Sequence, residues 1–148
     1  MGKIEIVKKF YGLMEQGNFD EAKSYLLPGF QILGATPQPM GKEEWMDFQH
    51  KLFIGVPDFK FNIGELSERG NLVNGVLQAT GTFTNEMPSI YVGKPSIPPT
   101  NKKATNPKEN FTVTFKGDKI TMITVERLTN GGIHGFLKQL GAEALTYA

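Results

Sequence analysis

Two glutamates near the end of the chain have the clearest capacity for chemistry. Glu109 begins a stretch of alternating polarity, and Glu126 lies near the end of the stretch that follows it. If the two stretches pair as a hairpin with a two-residue turn, these carboxylates lie opposite each other. Two close carboxylates repel, and away from water one of them stays protonated near neutral pH, which provides a general acid and a general base. The predicted chemistry is proton transfer at a C–H group beside a carbonyl.

Each candidate group also has a plainer interpretation. Both glutamates can lie at a wet strand end, or pair with the cations Lys108 and Arg127, since carboxylates are mostly exposed. Tyr11 lies on the apolar face of a predicted helix, where its hydroxyl can donate a hydrogen bond to a developing oxyanion or simply pack. The sequence predicts Glu126, Glu109 and Tyr11 as the catalytic residues and leaves these alternatives open.

The hairpin that would position the glutamates is the best-defined element of the sequence. Residues 111–115 alternate between Phe or Val and Thr, a period of two that is typical of a strand. Gly117 then occupies the first central position of a turn, as a type II′ turn requires. One face of the hairpin is apolar, and the other carries threonines towards solvent or a partner. The predicted register pairs Phe115 with Ile120, Val113 with Met122 and Phe111 with Thr124.

Hydrophobic periodicity predicts the other elements. Apolar residues recur at helical spacing in three early segments and again near the end of the chain, and Asn18 precedes the second segment as a predicted N-cap. A turn is expected at 67–71, and Gly75 and Gly81 predict bulges or bends. The connection 85–108 is too long to be an idle loop, and 89–92 within it is a candidate strand. We predict helices at 4–14, 18–27, 42–54 and 133–140, and strands at 30–33, 59–63, 72–84, 111–115 and 120–127.

Helices followed by an antiparallel meander indicate an α+β fold, with the helices packed into the concave side of the sheet. Aromatic side chains from the helices and strands would meet inside it. They would form either the walls of a pocket for a hydrophobic small molecule or ordinary core packing. The predicted ligand-binding residues are Trp45, Phe48, Phe61, Phe111 and Met122.

The composition limits the class of protein. A chain of 148 residues with 39% hydrophobic residues fits a single domain, 1–148, with a buried core. A net charge of +1 without long basic runs argues against a nucleic-acid partner. We expect no membrane span and no secretory signal, and the lack of cysteine suits the cytoplasm. His50 and His134 lack the spacing of metal ligands, and no cofactor fingerprint is present, so neither a metal nor a cofactor is predicted.

Five segments form an ordered set that covers nearly the whole chain. They are VKKFYGLMEQGNFDEAKSYLLPGF, PMGKEEWMDFQHKLFIGVPDFKF, IPPTNKKATNP, FTVTFKGDKI and FLKQLG. This set resembles the SnoaL-like polyketide cyclases, within the nuclear transport factor 2-like superfamily. The resemblance implies a cone-shaped, cystatin-like α+β fold. It also implies a homodimer through the convex face of the sheet, for which the fitting residues are Thr112, Thr114, Ile123 and Val125.

The resemblance also implies a chemistry. Characterised cyclases of this family close a ring of a polyketide ester by a cofactor-free intramolecular aldol condensation that uses an Asp and a His. Carried over by the hairpin, the Asp position falls on Val125, or on Glu126 after a one-residue slip, and the His position falls on Phe111. The ketosteroid isomerases, which share the fold, would place their first-helix tyrosine at Phe10, beside Tyr11.

Two functions follow as hypotheses. The first is a cofactor-free cyclase or isomerase that transfers a proton on a hydrophobic, polyketide-ester-like carbonyl compound. The second is a non-catalytic module of the same fold that binds a small apolar ligand or only dimerises. The feature that separates them is an ionisable group inside an enclosed cavity, which the enzyme needs and the binding module does not.

Overall fold

A six-stranded curved sheet forms the frame of the protein. The computed structural model describes residues 1–89 and 93–142. In the large sheet the strand order is β2-β1-β8-β7-β4-β3, β5 pairs with β6 in a second sheet, and neighbours are antiparallel except β1 and β8. The strands are β1 (Leu26–Leu33), β2 (Met40–Gly41), β3 (Gly64–Arg69), β4 (Leu72–Leu77), β5 (Thr80–Thr82), β6 (Lys103–Thr105), β7 (Glu109–Lys116) and β8 (Lys119–Val125).

Four helices are present in the described part of the chain. They are α1 (Lys3–Glu15), α2 (Phe19–Lys23), α3 (Lys42–Gly55) and α4 (Gly132–Gln139). The buried residues of α1 and of α3 recur at helical spacing. Each helix therefore has one apolar side, which packs against the rest of the protein. The predictions of α1, α3 and α4 are confirmed to within one or two residues at each end.

The second helix is shorter than predicted. α2 ends at Lys23, because Leu26 and Leu27 already belong to β1. Leu26 pairs with Ile120 of β8, so the sheet takes residues that helical spacing alone assigns to the helix. Asn18 precedes α2 as predicted, but its side chain makes no capping hydrogen bond.

The strand predicted at 59–63 is displaced. These residues form only a single bridge, between Lys60 and Thr80, and the strand β3 occupies most of the segment predicted as a turn. Asn62 has a positive φ angle of 49°, which interrupts the extended conformation that alternation predicts. The alternation of Phe59 and Phe61 therefore reflects burial in a loop rather than a strand.

The long strand predicted at 72–84 is divided into β4 and β5. β4 pairs regularly with β7 through Gly75 and Phe111, but on its other side the register with β3 shifts opposite Gly75, between Gly64 and Ser67. The predicted irregularity at this position therefore occurs in the neighbouring strand. The candidate strand at 89–92 lies largely outside the described residues, and so does the chain after residue 142.

The hairpin of β7 and β8 has the predicted turn but not the predicted register. Gly117 has a φ of +65°, as the first central position of a type II′ turn requires, and Phe115 faces Ile120. The next pair is Thr114 with Met122, so Thr121 has no opposite residue and forms a bulge. The register beyond it is shifted by one residue, and Phe111 faces Val125.

The bulge determines which side chains of β8 face the core. Ile123 and Val125 are buried, with 0% and 7% exposure, so the prediction that they lie on the convex face is wrong. Met122 pairs with Thr114 on the opposite, convex face, together with Thr112 and Thr124. No described helix is both long and apolar enough to cross a membrane.

Candidate active site

An apolar cavity lies between the concave face of the sheet and the helices α1, α3 and α4. It contains about 580 Å³ of space free of atoms, counting its open mouth. Most of the wall is aromatic or aliphatic, and four polar side chains interrupt it. The principal apolar residues are Trp45, Phe48, Phe59, Phe61, Val125 and Phe136, and the polar ones are Tyr11, Gln49, Asn106 and Glu109.

Glu109 is the only acid among the described residues that line the cavity. It is the first residue of β7, whose alternation directs Glu109, Phe111 and Val113 inward. The side chain is buried, with 2% exposure, and its Oε2 accepts a hydrogen bond of 3.0 Å from the backbone N–H of Gly132. The carboxyl group therefore lies inside the protein at the first residue of α4.

Side-chain amides fix α4 in this position. Asn106 Nδ2 donates a hydrogen bond of 2.9 Å to the carbonyl oxygen of Gly132. Gln139 Nε2, from the end of α4, donates to Asn106 Oδ1 at 2.8 Å, and Gln78 Nε2 donates to the Asn106 carbonyl oxygen at 3.0 Å. The connection before β7 thus holds both ends of α4 over the cavity.

Burial raises the pKa of Glu109 above its ordinary value of 4.5. Hydrogen bonds from the Gly132 backbone and the Asn106 side chain act in the opposite direction, and the charge of Glu126 adds a small further increase. Because desolvation is the largest of these effects, the carboxyl group is a weaker acid, and its anion a stronger base, than an exposed glutamate.

This pKa predicts a pH-dependent contribution to stability. A folded-state pKa above 4.5 means that the contribution of Glu109 is fully present below that pH and is lost as the pH rises through the raised pKa. The variant Glu109→Gln lacks this titration, so we expect wild-type unfolding free energy to fall relative to the variant as pH rises. Urea denaturation of both proteins between roughly pH 4 and pH 8 measures the difference, in which other titrations cancel. A difference that does not vary with pH would contradict the raised pKa.

Tyr11 is the second polar group of the cavity. Its ring packs edge-on against Phe61 and Phe111, at centroid distances of 4.8 and 5.5 Å. Burial alone raises the pKa of its hydroxyl, which makes no hydrogen bond to any described residue. Since no buried side-chain oxygen or nitrogen in the described chain lacks a partner, the hydroxyl must border open space, either in this cavity or in a more polar pocket beside Lys8 and Glu15 that Tyr11 also lines. It is free to donate a hydrogen bond to a ligand.

The structure brings together five of the predicted site residues. The residues Tyr11, Trp45, Phe48, Phe61 and Glu109 line one cavity. Phe111 is buried behind the ring of Tyr11 and does not line the cavity, and Met122 lies on the convex face of the sheet. Assigning Met122 to the ligand site is therefore wrong, because the bulge at Thr121 reverses its direction.

Glu126 does not face Glu109. It is exposed at the end of β8, where its Oε1 accepts hydrogen bonds of 3.3 Å from both the backbone N–H and the Nδ2 of Asn110. The shift in register caused by the bulge places it opposite Asn110, so the predicted pair of opposed carboxylates is wrong. Of the two acids, only Glu109 reaches the cavity.

Two polar residues of the cavity are absent from the sequence predictions. Gln49 follows Trp45 by one helical turn on the buried side of α3, and a polar residue on an apolar stripe is a signal that could have revealed it. Asn106 lies in an irregular connection, and no periodicity marks it. The histidines do not line the cavity: His50 is exposed with its ring 5.5 Å from that of Phe19, and His134 lies on α4.

The fold and the cavity define a class of small α+β proteins with helices packed into a curved sheet and one buried acid inside. Within this class, the chain belongs to the SnoaL-like polyketide cyclase family, whose sequence model matches residues 4–125. Among proteins of curated function, none matches the chain in sequence. The Asp position that the resemblance assigns to Val125 does line the cavity, but valine carries no ionisable group.

Solved structures agree on the fold. IdmH from Streptomyces antibioticus, a candidate polyketide cyclase, superposes with a TM-score of 0.70 at 18% identity over 95% of this chain and 99% of its own. A SnoaL-like polyketide cyclase from Agrobacterium tumefaciens gives 0.63 at 18% identity, over 84% and 90% of the two chains. A protein with a ketosteroid isomerase-like fold from Catenulispora acidiphila, in complex with trimethylamine, gives 0.66 at 14% identity over 93% and 92%. Family membership supports a function of the cyclase or isomerase kind.

Proposed function

We propose that the protein is a cofactor-free cyclase or isomerase that moves a proton at a C–H group beside the carbonyl of a hydrophobic, polyketide-ester-like compound. The observation that carries the proposal is the position of Glu109, a buried carboxyl group with a raised pKa inside an apolar cavity. An ionisable group in such a cavity is the feature that an enzyme needs and a carrier does not. Glu109 takes the role that the family assigns to its Asp.

The reaction follows from the two polar groups. The Glu109 carboxylate removes a proton from the C–H group, and the electrons of that bond form an enolate whose oxygen accepts a hydrogen bond from the Tyr11 hydroxyl. In an isomerase, protonated Glu109 returns the proton to another carbon of the enolate. In a cyclase, the enolate carbon attacks a second carbonyl of the same molecule, and the resulting alkoxide takes the proton. Both routes regenerate the carboxylate.

Exchange of carbon-bound hydrogen tests the proposal. We expect the protein to accelerate deuterium incorporation at C1 of 2-tetralone, a hydrophobic ketone, in D₂O followed by proton NMR. The variant Tyr11→Phe keeps the ring packing but removes the hydrogen-bond donor, so its rate should fall by roughly 10²-fold with little change in stability. Urea-unfolded protein supplies the background rate.

A different result has a defined meaning. If 2-tetralone binds, as shown by calorimetry, but exchanges no faster than with unfolded protein, the enzyme proposal is wrong. That outcome would favour the alternative of a non-catalytic module for small apolar ligands, which the largely apolar wall of the cavity also suits.

The proposal includes a homodimer through the convex face of the sheet. This face combines polar and apolar side chains that are half-buried in the isolated chain, such as Val76, Thr114 and Met122. Thr112 Oγ1 already donates a hydrogen bond of 2.7 Å to Asn74 Oδ1, so the polar groups at its centre are partly satisfied. Sedimentation equilibrium distinguishes a dimer from the 16.4 kDa monomer.

A further inference from the structure

Gln49 is a buried polar side chain for which the proposed reaction has no use. It lies on α3 between Trp45 and Leu52, on the side of the helix that lines the cavity. Its exposure is 6%, close to that of its apolar neighbours. Helical spacing alone would favour an apolar residue at this position.

The amide of Gln49 makes no hydrogen bond to the described residues. Other amides near α4 are engaged: Gln78, Asn106 and Gln139 each donate a hydrogen bond of 2.8 to 3.0 Å. No fully buried side-chain nitrogen or oxygen in the described chain lacks a partner, so the Oε1 and Nε2 atoms of Gln49 must border open space. Because the side chain lines the cavity, that space is where a ligand would lie.

An amide group in an apolar cavity lowers the stability of the protein unless it is hydrogen-bonded. Leaving a buried polar group unsatisfied costs about 1–3 kcal/mol, whereas a leucine of similar size would contribute favourably at the same place. An amide also offers both a donor and an acceptor, which matches a hydroxyl, an enol or a carbonyl oxygen. A polar group that only some ligands can pair with is the kind of group that selects its ligand.

We infer that Gln49 is a specificity-determining residue that hydrogen-bonds a second oxygen function of the ligand, apart from the carbonyl that reacts. This inference rests on the proposed function for the place of the first oxygen, beside Tyr11 and Glu109. The ligand class is then an apolar ring compound with two oxygen functions. Compounds with a single oxygen fill the cavity but leave the Gln49 amide unpaired.

A matched set of ligands tests the inference without requiring turnover. The probes are 2-naphthol, with one oxygen, and naphthalenediols with the second hydroxyl at different ring positions. Calorimetric titration gives their dissociation constants. We expect wild-type protein to bind at least one diol roughly tenfold more tightly than 2-naphthol. In Gln49→Leu that preference should disappear, while the affinity for 2-naphthol stays equal or improves.

Stability separates ligand recognition from a structural role. If Gln49 serves only the fold, Gln49→Leu lowers the urea midpoint and leaves the diol preference intact. If it serves the ligand, the midpoint stays or rises, because an apolar side chain replaces an amide that makes no hydrogen bond to the described protein. Gln49→Met, which keeps the length of the side chain, replaces the leucine variant should that variant fail to fold.

The outcomes also separate this inference from the proposed function. Retention of the diol preference in Gln49→Leu overturns the inference, and so does equal binding, or no binding, of all the diols by wild-type protein. If 2-tetralone exchange is absent but the preference depends on Gln49, the enzyme proposal fails and the recognition of a second oxygen stands. If 2-tetralone exchange occurs without any diol preference, the enzyme proposal stands and the recognition of a second oxygen by Gln49 fails.

Discussion

Replacing Glu109 by Gln is expected to lower the rate of 2-tetralone exchange by roughly 10²- to 10⁴-fold, the usual contribution of a general base. The amide oxygen of the glutamine can still accept the hydrogen bond from the Gly132 N–H, so α4 should keep its position. The loss should therefore appear in the rate and not in the affinity for 2-tetralone. NMR exchange rates together with calorimetric binding of the variant measure both quantities.

Glu126→Gln is the matched control for this prediction. It makes the same chemical change on the adjacent strand, but at an exposed position outside the cavity. We expect its exchange rate to equal that of wild-type protein. A large loss of rate in Glu126→Gln, or a normal rate in Glu109→Gln, would show that Glu109 is not the general base.

Replacing Gly34 by Ala is expected to destabilise the protein by more than about 3 kcal/mol. Gly34 has a φ of +92°, and a Cβ built on it would overlap the carbonyl oxygen of Val125. Because that oxygen belongs to the backbone of a central strand, no side-chain adjustment relieves the contact. β1 and β8 would have to separate where Leu33 pairs with Thr124. Urea denaturation gives the change in unfolding free energy.

Gly29→Ala provides the comparison within the same strand. Gly29 also belongs to β1, but a Cβ there would meet no atom within 4 Å, and its φ is not positive. An alanine there should be neutral or stabilise by roughly 0.5–1 kcal/mol, because it lowers the entropy of the unfolded chain. Equal effects of the two substitutions would show that the contact between Gly34 and Val125 does not constrain the sheet.

Local sequence patterns predict the elements well and their register less well. The alternation around Val113 and the glycine at 117 identify the hairpin, because strand period and turn chemistry are properties of neighbouring residues. The bulge at Thr121 depends on how β8 is held between β7 and β1, which no local pattern encodes. One unpaired residue was therefore enough to reverse the predicted directions of Met122 and Glu126.

In the candidate site, too, the sequence predicts some features and not others. Alternation along β7 places Glu109 on the same face as Phe111, so its inward direction could be predicted from the sequence. Its environment could not, because the hydrogen bond comes from Gly132 and the supporting amide from Asn106, which join it through the tertiary fold. Gln49 shows the intermediate case, in which a helical stripe marks the residue but only its place in the cavity supports the inferred role.

The position of α4 links access to the cavity with the strength of the base. Phe136 and Leu137 of this helix form part of the cavity wall. Gly132, the first residue of the helix, donates its backbone N–H to the Glu109 carboxyl group. If α4 were displaced, water would reach the Glu109 carboxyl group, and its pKa would fall to that of an exposed glutamate. The proposed proton transfer would therefore depend on α4 being in place. In a molecule whose α4 has left this position, a carbonyl compound would meet an ordinary exposed glutamate, and the proposed enolisation would not be accelerated.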